Sequence, residues 1–325
     1  MNTSYLTLFL MYLSCFLSLN ACEGSDAKEQ EVTDKVTPVA LGDPFILYHE
    51  GLYYAYGTQS PDGIVVFTSE DMIHWSVPAL EHGQLALHKN DVWGERWFWA
   101  PEVYAVNGKF YMYFSADEHI CVATSDSPLG PFVQENKVPI REEKSIDNSL
   151  FIDDDGKAYM YFVRFNDGNN VWVAEMTDDL LGIKSETLAH CFSVSQRWEE
   201  VQARVNEGPF VIKHKGLYYM TYSANHFESQ RYGVGYATAE SPMGPWTKYE
   251  HNPILQSPGE LVGAGHSALF YNENGQLFKV FHAHRDIQNI HPRKMYISNV
   301  SFKANNAGAD IMEIDTDYLI PVLKK

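Results

Sequence analysis

The sequence predicts an all-β fold, a single-domain five-bladed β-propeller, because three features recur along the chain. A glycine that opens a run of aromatic and small residues occurs five times, at Gly51, Gly108, Gly156, Gly216 and Gly275. These glycines are 57, 48, 60 and 59 residues apart, close to the length of a four-stranded blade. Helical periodicity is almost absent. Two packed sheets would use similar strands but would not explain five recurrences at this spacing.

Each repeat contains the pattern of a β-hairpin followed by further strands. An apolar strand such as PFVI runs through a short turn such as HKG into the aromatic run, for example GLYYMTYSA. A third strand with small residues follows, as in CVATSDSPLGPF and GYATAESPMGPW. The next segments, PFVQ and PWTKY, are predicted outer edge strands, where proline is tolerated because its missing N–H faces outward.

Composition limits the classes of partner. The 325 residues are 45% hydrophobic, which allows a large core. The net charge of −18 would repel a phosphate backbone, so nucleic acid is excluded as a partner, and a monomer is expected. Cys121 and Cys191 are far apart in sequence and match no zinc or redox spacing, so they are predicted to be buried free thiols, with a single disulfide as the alternative.

The N-terminal region predicts export. Residues 1–21 resemble a signal peptide of the lipoprotein type, because the apolar run ends in the lipobox-like LSLNAC, although no Lys or Arg precedes it. Cys22 would then carry the lipid, residues 22–38 would form a flexible acidic tether, and residues 39–325 would form the propeller. The expected location is the outer membrane of a Gram-negative bacterium, facing the periplasm or the cell surface. A plain cleaved secretory signal is the alternative.

Candidate functional residues stand at the start of each predicted blade. Asp147, Glu207 and His266 lie nine residues before their hairpin glycine, Asp43 lies eight before, and the second blade offers Trp99 and Ala100. The first strand of a blade lines the central channel, so three carboxylates are expected to face one catalytic funnel. A single Asp or Glu there could merely cap local N–H groups. Three like charges brought together disfavour ionisation, which favours a functional reason.

Clustered carboxylates suit the hydrolysis of glycosidic bonds. One group must stay protonated near neutral pH to protonate the leaving oxygen, and another must be ionised to activate water or attack the sugar. A third carboxylate can raise the pKa of the acid without touching the bond that breaks.

Five segments resemble the successive blade entries of glycoside hydrolase family 43: LGDPFILYHEGLYYAYGT, WAPEVYAVNGKFYMYFSA, SIDNSLFIDDDGKAYMYF, NEGPFVIKHKGLYYMTYS and GHSALFYNENGQLFKVFHAH. The resemblance runs from Val39 to Phe302. It implies a five-bladed propeller enzyme that acts with inversion on arabinose- and xylose-containing plant polysaccharides. By the same resemblance, Asp43 is the general base, Glu207 the general acid, and Asp147 the group that tunes and orients the acid. No covalent intermediate is then expected.

The resemblance also suggests contacts to a cation and to substrate. His266 matches a histidine that in many relatives faces a calcium ion or another cation held with waters in the channel, although no cofactor is expected to be required for the chemistry. The alternative is a channel histidine bonded to water. Arg285, in FHAHRD, resembles a basic residue that helps to hold the substrate and the acid, with a rim salt bridge as the alternative.

Aromatic residues near the second blade are candidate sugar platforms. Trp99 and Phe98 belong to NDVWGERWFWAPEV, where pyranose or furanose rings could stack, although several of these rings must pack between blades. His226 and Tyr232, in ANHFESQRYGVGY, are candidate residues of the rim.

The expected substrate is an α-L-arabinofuranoside. After the predicted fifth blade we expect no C-terminal sandwich of the kind that the resemblance associates with some xylosidases of the family, and this favours arabinofuranosidase over β-xylosidase. Endo-arabinanase activity is a further alternative. A non-catalytic glycan-binding propeller is the alternative from another class, and it predicts the loss of one or more of the three carboxylates.

Overall fold

The computed structural model describes residues 36–306 and 308–324. The predicted signal peptide and nearly all of the predicted tether lie outside the described residues. Within these ranges the chain forms a five-bladed β-propeller, and its helices are three short 3-10 segments, Lys89–Asp91, Ser185–Thr187 and Arg197–Glu200. No helix of the described residues is long and apolar enough to span a membrane.

The five blades follow one another along the chain, each with its first strand at the central channel. Blade 1 contains β1 Gly42–His49, β2 Leu52–Ser60, β3 Gly63–Ser69, β4 His74–Ser76 and β5 Leu85–His88, and blade 2 contains β6 Trp99–Val106, β7 Lys109–Ala116 and β8 His119–Ser125. Blade 3 contains β9 Ser145–Ile152, β10 Ala158–Phe165, β11 Asn169–Glu175 and β12 Ala189–Phe192. Blade 4 contains β13 Asn206–His214, β14 Leu217–Ala224, β15 Gly233–Ala239 and β16 Thr247–Lys248. Blade 5 contains β17 Gly265–Tyr271, β18 Leu277–Ala283, β19 Lys294–Lys303 and β20 Ile311–Leu319.

The predicted outer edge strands are only partly present. PWTKY supplies β16, which pairs antiparallel with β15. PFVQ forms a single bridge between Thr124 and Val133, so blade 2 has three strands among the described residues. Cys121 and Cys191 are free thiols, buried and half-buried respectively, and the alternative of a disulfide between them is wrong.

The tyrosines of the repeated aromatic runs join neighbouring blades. Four tyrosines, each in the second strand of its blade, donate a hydrogen bond from the hydroxyl group to a backbone carbonyl of the blade that follows. The pairs are Tyr56 with Pro128, Tyr113 with Leu180, Tyr161 with Pro242, and Tyr219 with Asp310, at 2.5 to 2.8 Å. A buried tyrosine therefore contributes apolar area and also satisfies its polar end, which explains why this residue recurs.

A β-bulge interrupts the first strand of every blade near its start. The bulges coincide with positive φ angles at Asp43 (47°), Ala100 (46°), Asp147 (57°), Gly208 (55°) and His266 (40°). These five residues are thus the structurally equivalent positions. Left-handed backbone at a residue other than glycine is strained, and such strain concentrates at functional sites. A bulge also turns side chains out of the normal alternation, here toward the mouth of the channel.

The position of Glu207 corrects one prediction. Counting back from the hairpin glycine made Glu207 equivalent to Asp147, but its neighbour Gly208 occupies the equivalent position. The count fails because the β-hairpin turns before Gly156 and Gly275 are longer than the turn before Gly216. Glu207 still faces the same pocket, one residue earlier on its strand.

The two ends of the described chain close the ring. The C-terminal strand β21, Val322–Leu323, pairs in parallel with β4 of blade 1. The segment before β1 bonds to it, since Val39 N donates to Pro321 O at 2.9 Å and Leu323 N donates to Thr37 O at 2.8 Å. Leu41 N also donates to Arg293 O of blade 5 at 2.9 Å. Blades 1 and 5 are therefore joined by backbone hydrogen bonds as well as by side-chain packing.

Candidate active site

The strand bulges surround a pocket of about 560 Å³ at the mouth of the channel. Asp43, Asp147, Glu207 and His266 lie at its floor. The walls carry Thr58, Trp99, Phe165, Asn169, Arg204, His226, Phe227, His291 and Arg293. The structure thus brings together the three predicted carboxylates, His266, Trp99 and His226.

Asp43 is an ionised carboxylate in a cationic setting. Arg293 donates to both of its oxygens, from Nη1 to Oδ1 at 2.6 Å and from Nη2 to Oδ2 at 3.0 Å. The backbone N–H of Asp43 donates to His282 Nδ1 at 3.1 Å. Burial alone would raise the pKa of Asp43, but the nearby charge of Arg293, with His266 and His282, holds it well below its usual range. Gly42 makes room, because a Cβ there would lie 2.3 Å from the guanidinium.

Glu207 has only neutral hydrogen-bond partners. Tyr232 Oη donates to Oε1 at 2.8 Å and Asn169 Nδ2 donates to Oε2 at 3.0 Å. Desolvation at the pocket floor raises the pKa of Glu207 to about 7, although these two hydrogen bonds oppose the shift, and the charge of Asp43 adds to it. A large fraction of Glu207 therefore carries a proton near neutral pH.

Asp147 lies between these two groups and is held by backbone contacts. Gly208 N donates to its Oδ2 at 3.0 Å, and its own N–H donates to Ser115 Oγ at 3.1 Å. Burial raises the pKa of Asp147 well above its usual value, and the charges of Glu207 and Asp43 raise it further. Gly208 is required next to the acid because its φ is 55° and a Cβ would lie 3.3 Å from the ring of His266.

His266 stands between the two aspartates. Its Nδ1 lies 3.6 Å from Asp43 Oδ1 and 3.8 Å from Asp147 Oδ2, and its backbone N donates to Ser223 Oγ at 2.8 Å. Burial lowers the pKa of His266, which favours a neutral ring. A neutral imidazole keeps a lone pair available for water or for a cation.

A small cavity continues below the floor, toward the centre of the channel. It is lined by His266, Asp147, Asn148 and Glu102. Both amide atoms of Asn148 are buried and have no partner among the described residues. Burial raises the pKa of Glu102 to about 8. The oxygen atoms of Asn148, Asp147 and Glu102 are of the kind that calcium takes as ligands, and the imidazole of His266 could reach such an ion through water.

Three predicted substrate contacts are corrected by the structure. Arg285 is exposed, pairs with Asp286 at 3.1 Å and does not line the pocket. Phe98 is 1% exposed and stacks on Phe114, so it packs in the core. Tyr232 is fully buried behind Glu207 and does not lie at the rim.

Arg293, Asn169 and His282 were not found from the sequence. Arg293 lies just before β19 and reaches Asp43 across 250 residues, and Asn169 reaches Glu207 from the neighbouring blade. No local pattern marks either residue, because each contact is created by blade packing. Their polarity at the channel end of a strand is the only signal that the sequence carries.

Trp99 forms one wall of the pocket and is supported from behind. The ring of Trp97 stacks on it with centroids 5.5 Å apart and planes at 20°. The guanidinium of Arg96 lies 3.9 Å from the centroid of the Trp97 ring, and Arg96 Nε donates to Asp117 Oδ1 at 2.9 Å. Arg96 packs on Trp97 and Trp97 packs on Trp99, and this stack holds the Trp99 ring at the wall.

Comparison with known proteins identifies the family. The sequence profile of Glycosyl hydrolases family 43 matches residues 33–307. This chain belongs to that family. It is a glycoside hydrolase, and the expected fold and enzyme class are confirmed.

Solved structures of the family superpose closely. A crystal structure described as an endo-1,4-beta-xylanase from Bacteroides thetaiotaomicron is 47% identical, with a TM-score of 0.83, covering 90% of this chain and 99% of that one. A thermostable family-43 glycoside hydrolase is 37% identical, with a TM-score of 0.77, covering 87% and 95%. Among curated relatives, the arabinoxylan arabinofuranohydrolase of Bacillus subtilis is 26% identical, over 96% of this chain and 70% of its own length.

Proposed function

We propose that this enzyme is an inverting α-L-arabinofuranosidase that releases arabinofuranosyl units from plant arabinoxylan or arabinan. One observation carries the proposal of acid–base hydrolysis, and inversion is the mechanism that the resemblance to the family implies. Two carboxyl groups on opposite sides of one pocket are held in opposite protonation states, Asp43 ionised by Arg293 and Glu207 protonated by desolvation. An acid and a base are both needed for single-step hydrolysis.

In this mechanism Asp43 is the general base. A water molecule between its carboxylate and the anomeric carbon loses a proton to Asp43 as it attacks the sugar from one face. The Arg293 fork holds the carboxylate in one orientation, which reduces the motion needed to reach the transition state.

Glu207 is the general acid on the opposite face. It gives its proton to the glycosidic oxygen as the bond to the anomeric carbon breaks, so the leaving sugar departs as an alcohol. Tyr232 and Asn169 fix the orientation of the carboxyl group. Asp147 acts through position, because it accepts from Gly208 N beside the acid, and through a mutual coupling with Glu207, in which the ionised form of either carboxyl group raises the pKa of the other.

The proposed substrate class rests on the pocket and on the relatives. The Trp99 and Phe227 rings provide apolar faces for a pentose, and His226, His291 and Arg204 add polar groups at the wall. Curated relatives are described as arabinofuranohydrolase, xylosidase/arabinosidase and exo-α-(1→5)-L-arabinofuranosidase. A β-xyloside is the second candidate, because the 47% identical solved structure is described as an endo-1,4-beta-xylanase.

The test is hydrolysis of 4-nitrophenyl α-L-arabinofuranoside and β-D-xylopyranoside, together with arabinan, arabinoxylan and linear xylan. The proposal expects the arabinofuranoside to have the higher kcat/KM. Proton NMR of the first product formed should show the inverted anomer. Higher kcat/KM for the xyloside would replace the first candidate by the second, and release of internal oligosaccharides from arabinan would indicate endo action.

The glycan-binding alternative is tested with the same panel. Glu207→Gln and Asp43→Asn serve as inactive controls for contaminating glycosidases. If the wild type binds the polysaccharides in calorimetry but releases no more sugar than these variants, the enzymatic proposal fails.

We also propose that a calcium ion occupies the cavity below the pocket. Asn148, Asp147, Glu102 and His266 are the residues that would hold it, directly or through water. Such an ion would supply positive charge and rigidity beneath the carboxylates. Removal with a chelator should lower the melting temperature, and Asn148→Ala should weaken calcium rebinding measured by calorimetry. An unchanged melting temperature and no calcium uptake would contradict the proposal.

The N-terminal predictions are also proposals. Lipidation at Cys22 would attach the enzyme to the outer membrane, with the propeller acting as a monomer on polysaccharide or oligosaccharide. Metabolic labelling with a radioactive fatty acid should mark the wild type, and Cys22→Ala should abolish the label. Labelled Cys22→Ala protein would contradict lipidation at this residue.

A further inference from the structure

A cluster of side chains of metal-ligand type lies in blade 1 and at the start of the connection to blade 2, outside the catalytic pocket. One ligand atom from each of His82, His88 and Asp91 can be chosen so that all three lie within 4.8 Å of one another. The two imidazole rings stack with centroids 4.3 Å apart and planes at 26°. None of these residues lines the pocket that contains Asp43 and Glu207.

Backbone contacts hold the three residues in place. His88 ends β5 and pairs with Gly63 of β3. His82 lies in a turn closed by two hydrogen bonds between Leu80 and Gly83, at 3.0 and 3.1 Å. Asp91 ends the 3-10 helix that follows His88, and its carbonyl accepts from Gln134 N at 3.0 Å. The cluster therefore rests on paired backbone at three points.

The neighbouring cations are engaged elsewhere. The Lys89 ammonium lies 2.6 Å from Asp62 Oδ1, and the Lys137 ammonium donates to the Asn90 carbonyl. In the described part of the chain, the Asp91 carboxylate and the His82 ring have no hydrogen-bond partner. His88 Nδ1 accepts a long bond of 3.2 Å from Asn90 N. Two imidazoles and one carboxylate thus face one another without an internal cation.

We propose that His82, His88 and Asp91 bind a divalent transition-metal ion of the zinc class, with water completing the shell. Imidazole nitrogen with one carboxylate suits zinc, nickel or copper, whereas calcium and magnesium take oxygen ligands. In a tetrahedral zinc site with bonds of about 2.0–2.1 Å, ligand atoms lie roughly 3.3 Å apart. Side-chain rotations that bring the atoms about 1.5 Å closer complete the site.

Coordination has a defined effect on His88. If the ion binds Nε2, the ring proton moves to Nδ1 and the bond from Asn90 N is given up. If the ion binds Nδ1, it replaces that bond directly. Either way one weak hydrogen bond is exchanged for a metal bond, so the expected affinity is micromolar, weaker than that of a preformed four-ligand site.

The test uses the mature enzyme after treatment with a chelator. Titration with ZnCl₂ in a calorimeter should show a site that is weakened at least about tenfold by His82→Gln, His88→Gln or Asp91→Asn. The matched control is His74→Gln, because His74 is an exposed histidine of the same blade that pairs with Asp71 at 2.8 Å. The control should keep wild-type affinity. Unchanged hydrolysis by all four variants would report that they fold.

A spectroscopic measurement separates this site from metal bound in the catalytic pocket. Co²⁺ added to the wild type should give the intense visible absorption of a four-coordinate ion, and His88→Gln should remove it while Asn148→Ala leaves it. The proposal is overturned if the wild type binds Zn²⁺ more weakly than about 100 µM. It is also overturned if His88→Gln and His82→Gln bind as tightly as His74→Gln.

Discussion

The two sides of the catalytic pocket treat similar carboxyl groups in opposite ways. On the side formed by blades 1 and 5, Asp43 meets the formal charge of Arg293 at 2.6 Å. On the side formed by blades 3 and 4, Glu207 meets only the phenol of Tyr232 and the amide of Asn169. Neutral donors cannot offset the desolvation of a carboxylate, whereas a bidentate guanidinium can. The formal charge of Arg293 thus makes Asp43 the base, and the neutral hydrogen-bond donors around Glu207 leave it as the acid.

The largest expected effect comes from removing the carboxylate of Asp43, on the side of the pocket that contains Arg293. Asp43→Asn should lower kcat/KM by about 10³-fold or more, because the amide cannot accept a proton from water. The loss should be similar for aryl glycosides with good and with poor leaving groups. A rate close to that of the wild type would contradict the role of Asp43 as base.

Glu207→Gln should cost less, and the cost should depend on the substrate. We expect kcat/KM to fall by about 10²-fold for a polysaccharide, whose leaving alcohol needs protonation. For 2,4-dinitrophenyl glycosides the fall should be much smaller, because that leaving group departs without a proton. Exposed Glu200→Gln is the control. An equal loss of kcat/KM on both substrates would contradict the assignment of Glu207 as the general acid.

Arg293→Met should shift the acid side of the pH profile. The guanidinium of Arg293 lowers the pKa of Asp43, so removing it raises that pKa. Activity requires ionised Asp43. When the pH is lowered, the variant should therefore lose activity at a higher pH than the wild type does. Profiles of kcat/KM between pH 4 and 8 measure the shift. Exposed Arg285→Met should leave the profile unchanged, and an unmoved acid limb in Arg293→Met would be the contrary result.

Tyr232→Phe should produce a smaller shift on the other limb. Activity requires protonated Glu207, so kcat/KM should fall as pH rises through about 7. The Tyr232 bond favours the ionised form, and its removal should raise the pKa of Glu207 and move the basic limb upward. A basic limb that moves to lower pH in Tyr232→Phe would contradict this account.

The smallest effect on catalysis is expected from Lys279→Met, which tests stability. Lys279 is buried, and its hydrogen bond within the described residues is to Thr221 Oγ1 at 3.1 Å. Burial lowers the pKa of Lys279 from 10.5 to about 7. Between these two pH values the unfolded chain binds more protons at this group than the folded protein does. The contribution of Lys279 to the free energy of unfolding therefore rises with pH in that range. Lys279→Met should raise the melting temperature most below pH 7. A lower melting temperature at pH 6 would contradict this.

Sequence reasoning reached the fold because each blade repeats one local pattern. It reached Asp43, Asp147 and Trp99 because strand starts share one end of a propeller, and it reached His226 from the segment that follows the fourth aromatic run. It misplaced Glu207 by one position. The hairpin turns differ in length between blades, so the same number of residues counted back from the glycine does not reach the same position in every first strand. Phe98 could have been excluded, because adjacent residues of an extended chain face opposite sides and Trp99 was already assigned to the pocket.

Arg293 and Asn169 could not be predicted in the same way. Their contacts depend on how neighbouring blades pack and on the length of the connections, which no repeat pattern encodes. Arg285 was predicted because it resembles a late basic residue of the family, but it pairs with the exposed Asp286, and Arg293 is the arginine that reaches the channel. Side chains that complete a site from another blade require the three-dimensional packing.

The closure between blades 1 and 5 bears on the order of events during synthesis. Asp43 leaves the ribosome early, but Arg293 and His282 emerge 239 to 250 residues later, and Pro321 and Val322 later still. A nascent chain can form four blades while its future base has no counter-charge. The base is therefore expected to acquire its counter-charge only once the fifth blade has folded back against blade 1.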